Sequence, residues 1–88
     1  MTDENRENFS EREKAAAVTI QMTAYLALKK HRRGEDVEDL ANVLMKSAVL
    51  MARAMRRFDR AGQQQNAETA RQQLSLALDV IEKVCARS

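Results

Sequence analysis

Proline is absent from this chain of 88 residues, and glycine occurs only at Gly34 and Gly62. A β-protein of that length would need more turn residues to reverse direction between strands, so the sequence reads as all-α. Aromatics make up only 3% and tryptophan is missing, so the 44% hydrophobic content is mainly Ala, Leu, Val, Met and Ile. Such side chains let helices approach closely, but each buries modest area. A single bundle of this size is marginal, and a partner chain is the expectation.

Cys85 is the only cysteine. That excludes an intramolecular disulfide and suits a reducing compartment. No apolar run approaches the roughly 20 residues of a membrane span, and no signal-peptide segment is visible. The expectation is a cytoplasmic protein with no membrane partner. Fifteen basic and 13 acidic residues leave a net charge of +2, too near balance to imply a nucleic-acid partner by itself.

What is present is helix punctuation. Residues 1–9 are polar, carry no apolar period and read as a flexible tail; residues 10–88 form one helical domain. Ser10 followed by Glu13 is a capping box, in which hydroxyl and carboxylate each satisfy an orphan backbone N–H. The first helix should run over about residues 11–33 and close at Gly34. Asp36 can cap the second, about 36–59, with Glu38 and Asp39 complementing the positive end of its dipole. After Gly62 comes a polar connection to a third helix, about 66–87. Three long antiparallel helices forming a bundle, completed by dimerisation, is the fold this predicts.

The stripes give the reason for the dimer. Ala67, Ala70, Leu74, Ala77, Ile81 and Val84 alternate by three and four and make one seam on the third helix, with Leu78 and Cys85 flanking. The second helix repeats this with Val37, Ala41, Leu44, Ala48, Met51, Met55 and Phe58, but apolar residues also occupy both flanks. The first helix has one face of Ala17, Ile20, Ala24, Ala27 and Leu28 and another of Val18, Met22, Tyr25 and Leu26, leaving Thr19, Thr23 and Lys30 for water. Helices apolar on two sides need more neighbours than three helices supply. A symmetric dimer is the default solution, with Val18, Met22, Tyr25, Val43 and Leu50 as the self-association residues.

Charge supports an antiparallel order. Lys29, Lys30, Arg32 and Arg33 end the first helix beside Glu35, Asp36, Glu38 and Asp39, which begin the second. At the other end Arg53, Arg56, Arg57 and Arg60 would meet Glu11 and Glu13. Exposed pairs each contribute under about 1 kcal/mol, so these select an arrangement more than they stabilise it.

The remaining features divide into chemistry and packing. Lys46, Arg53, Arg57 and Arg60 share a polar face of the second helix with Arg56 at its edge, and the five are the candidate partner-binding residues, for an acidic protein surface or for nucleic-acid phosphates. A solvated helix face explains them more simply. No aromatics interleave for base stacking, and the 59–66 connection does not look like a compact helix-turn-helix turn.

His31 stands among like charges with no second histidine to share a metal. Cys85, on the seam, reads as a small buried hydrophobe rather than a nucleophile. Met22, Met45, Met51 and Met55 lie at helical spacing and read as core. The paired carboxylates at Glu35 to Asp39 sit at a helix start without a Glu-x-x-His motif. No catalytic, metal or cofactor residues are expected, and the chain is not expected to be an enzyme. The leading functional expectation is an adaptor, regulator or inhibitor that binds another protein through a helix face as a homodimer. The second is a small nucleic-acid-binding regulator using the basic face.

Overall fold

Ser10 opens the first helix. Its backbone N–H donates to Glu13 Oε1 at 2.9 Å and its Oγ accepts the Glu13 N–H at 3.1 Å, the reciprocal pair the sequence indicates. The computed structural model describes residues 8–85, and within them the chain forms α1 (Glu11–Arg32), α2 (Glu38–Arg60) and α3 (Gln64–Cys85). Each helix is about 33 Å long at 1.5 Å per residue.

Both helix breaks have one construction. Gly34 and Gly62 each take φ +76°, a left-handed conformation that glycine enters without a Cβ penalty. The Gly34 N–H donates to His31 O and the Glu35 N–H to Lys30 O, each at 3.0 Å. The Gly62 N–H donates to Asp59 O at 3.1 Å and the Gln63 N–H to Phe58 O at 2.9 Å. These are Schellman closures, which satisfy the last carbonyls and turn the chain at once. Connections this short force consecutive helices into antiparallel contact. The result is an all-α three-helix bundle in which α2 packs on both neighbours, most extensively on α3.

Several boundaries differ from expectation for local reasons. The Gln63 N–H is consumed by the turn, and α3 begins at once at Gln64, where the Ala67 N–H reaches Gln63 O at 3.0 Å. The α2–α3 connection is therefore three residues, more compact than the sequence suggested. At the start of α2, Val37 occupies the capping position without a side-chain hydrogen bond, and Asp36 stands one residue earlier. Its Oδ1 still accepts the Glu38 N–H, at 3.1 Å. Residues 86 and 87, expected to end the third helix, lie outside the described residues, as does the tail from 1 to 7. Phe9, assigned to that tail, belongs to the bundle: its ring meets Phe58 edge-on, centroids 4.7 Å apart.

Nine of the fifteen buried apolar residues among those described are alanine, so the helices stand close and a few large side chains fill the space between them. Ile20, Leu44 and Met51 anchor the main cluster with Ala16, Ala24, Ala27, Ala41, Ala48, Ala77, Val80 and Val84. Phe58 anchors a second cluster with Ala54, Ala67 and Ala70, under Phe9 and Met55. On α3, Val80 is buried whereas Leu78 and Cys85 are exposed, so the seam leans toward the Val80 side. Cys85 is thus a surface thiol, not a core residue.

Candidate interaction faces

Helix α1 is apolar on opposite sides. Projected at about 100° per residue, the buried Ala16, Ile20, Thr23, Ala24 and Ala27 cluster around one direction, and Val18, Met22 and Tyr25 centre about 180° away. Those three are 54%, 64% and 63% exposed, and Leu26 beside them is 43% exposed. Lys29 continues the stripe, its Nζ 5.8 Å from the Tyr25 ring centroid. Thr23, expected to face water, is buried. Counted ten residues inward from the Glu13–Arg57 contact, the antiparallel order sets it about level with Ser47 of α2, which is also buried.

The other self-association candidates lie on α2. Val43 and Leu50 share the flank of Arg57, which reaches across to Glu13 on α1. Val43 is exposed, while Leu50 is half-buried and packs on the main cluster. Val18, Met22 and Tyr25 therefore make one continuous outer stripe, with Val43 on the neighbouring helix and Leu50 largely withdrawn. Met22 and Met45 are exposed where methionine spacing suggested core, because each helix has one inward face and they fall outside it. Val49, half exposed, is an outward apolar residue that the sequence pattern does not single out. Its spacing of four from Met45 was the available signal for a short apolar stretch on α2's other flank.

The basic face of α2 divides in the structure. Lys46, Arg53, Arg56 and Arg60 are exposed, and Lys46, Arg53 and Arg60 project away from the core side of the helix. Arg57 is held inside a knot. Its Nη1 donates to Glu13 Oε2 at 2.5 Å, and its Nη2 donates to Glu13 Oε1 at 2.9 Å and Asn8 O at 3.0 Å. The guanidinium also lies over the Phe58 ring, 4.6 Å from its centroid. The Arg57 hydrogen bonds hold the Glu13 carboxyl below its ordinary pKa; burial opposes this and the Ser10 N–H reinforces it. At the opposite end Lys30 Nζ lies 3.5 Å from Glu35 Oε1, a local pair across the Gly34 turn.

An open hollow of about 570 Å³ lies where the α1–α2 turn meets the end of α3, lined by His31, Glu35, Asp36, Met45, Val84 and Cys85 among others. Its walls are mostly exposed side chains. Among the described residues, no cluster of three or more His, Cys, Asp or Glu is placed to hold a metal ion. No buried side-chain polar atom lacks a hydrogen-bond partner there, so none is left waiting for a ligand. No helix among the described residues is long and apolar enough to cross a membrane. Compared with protein-family models, with curated proteins and with solved structures, the chain matches none.

Proposed function

We propose that this chain is a non-enzymatic interaction protein, a helical bundle that works as a homodimer and offers a helix face to another protein as an adaptor, regulator or inhibitor. One observation carries the reading: α1 buries one apolar face within the chain and turns a second one, Val18, Met22 and Tyr25, directly outward. Large side chains in a row on a rigid helix are what a partner surface needs, whereas scattered exposed residues need no explanation. A chain with a single, exposed thiol suits a reducing compartment such as the cytoplasm. Light scattering across a gel-filtration peak should give twice the 10.0 kDa chain mass. A peak at the chain mass over the whole accessible concentration range sinks the homodimer.

The second reading is a nucleic-acid regulator, favoured by the exposed cations Lys46, Arg53, Arg56 and Arg60 on one helix. Arg57 is left out of its test because changing it would also break the Glu13 pair. Retention of RNA or DNA that falls with salt and disappears in the Arg53→Glu, Arg56→Glu, Arg60→Glu variant would promote this reading. Equal retention of variant and parent would remove it.

A further inference from the structure

The outer stripe of α1 has an internal symmetry that singles out one occupant. Val18 and Tyr25 lie equally far from a point between Gln21 and Met22, and so do Glu11 and Arg32. All of them fall near the same side of the helix at about 100° per residue. We infer that the stripe is covered by the same helix of a second copy, running antiparallel, with the two-fold axis passing beside Met22. This rests on the homodimer reading and specifies its interface.

In that register the small Val18 of each copy meets the large Tyr25 of the other, and the two Met22 side chains meet near the axis. The same register sets Glu11, whose side chain is 93% exposed, level with Arg32 of the other copy. A parallel pairing would stack Lys29, Lys30, Arg32 and Arg33 against their own duplicates, so charge selects the antiparallel order. One like-charge pair becomes level, Lys14 with Lys29. Each is already engaged, Lys14 with Glu11 at 3.5 Å and Lys29 over the Tyr25 ring. An isologous contact of this kind closes on itself and leaves no open end for further copies. A standard interface takes roughly 20–30 residues a side, more than the outer half of one 22-residue helix supplies. The flank carrying Leu26 and Val43 completes it.

Engineered cysteines in a Cys85→Ser background test the register, because a disulfide joins only residues whose Cα atoms lie within about 7 Å. Mixing Val18→Cys with Tyr25→Cys should give an oxidised heterodimer faster than either variant alone, and Met22→Cys should cross-link with itself. Leu78→Cys, on the exposed side of α3, should not. Glu11→Lys should weaken association, and adding Arg32→Glu should restore it. A dimer by mass in which Val18→Cys and Tyr25→Cys fail to join, or in which Val18→Cys prefers itself, overturns the geometry and leaves the homodimer standing. A chain that stays at monomer mass overturns both.

Discussion

The Glu13 carboxylate accepts the Ser10 N–H at the start of α1 and the Arg57 guanidinium across the bundle. Those two roles can be separated. Glutamine at this position keeps the capping box, because its amide oxygen can still accept the Ser10 N–H, but it loses the ion pair. The Arg57 side chain is 36% exposed, so solvent screens the pair and its loss should remove only about 0.5–1 kcal/mol. Glu13→Ala removes the cap as well and should remove about 1–2 kcal/mol, both read from urea midpoints. The pH dependence has a definite sign. A carboxyl held below its ordinary 4.5 stabilises the fold above that value and loses the contribution as pH falls through the lowered one. The stability difference between parent and Glu13→Gln should therefore shrink as acid is added below about pH 4.5. A difference unchanged down to the acid limit of folding would mean that the Arg57 contact does not depend on the Glu13 charge.

At the scale of elements, the turns are the parts most completely encoded. A Cβ added at Gly62 would meet nothing within 4 Å, so Gly62→Ala tests backbone conformation without a clash. At φ +76° the substitution should destabilise by about 1 kcal/mol, measured by thermal or urea unfolding. An unchanged midpoint would mean that the turn can relax out of the left-handed region. The helices themselves were legible because apolar spacing, the capping box and the glycines all agree. What was not legible required knowing a neighbour. Phe9 lies in a polar context and packs only because Phe58 arrives from 49 residues away. Thr23 goes inward, as Ser47 does on α2, although neither is apolar, and Arg57 leaves the basic face because Glu13 is across from it. Cys85 and Val80 exchange places because periodicity gives a stripe but not its tilt against the next helix. An open cleft of about 190 Å³ beside α1 and α3 is lined by Phe9, Ala17, Met51 and Gln73 among others. Ala17→Leu should fill part of it and add about 0.5–1 kcal/mol; a loss would show that the cleft is too narrow for the added atoms.

At the scale of the whole molecule, association and stability become one quantity. If two chains fold and pair together, unfolding releases two molecules, and dilution favours the unfolded state by mass action. A tenfold change in concentration is worth about 1.4 kcal/mol per dimer, or about 0.7 per chain. In a domain of this size each kcal/mol moves Tm by about 4–8 °C, so Tm should rise by about 3–6 °C per decade of protein concentration. Met22→Lys places a charge beside the proposed axis without touching the buried face of α1, since Met22 is already 64% exposed in the single chain. That variant should keep its helical circular dichroism and show a lower Tm that no longer depends on concentration. Leu78→Lys, equally a charge on an exposed apolar site but on α3, should behave as the parent does. A parent Tm that stays constant over about two decades of concentration would mean that the three helices are stable without a second chain. The outer stripe of α1 would then be free surface for a partner of another kind.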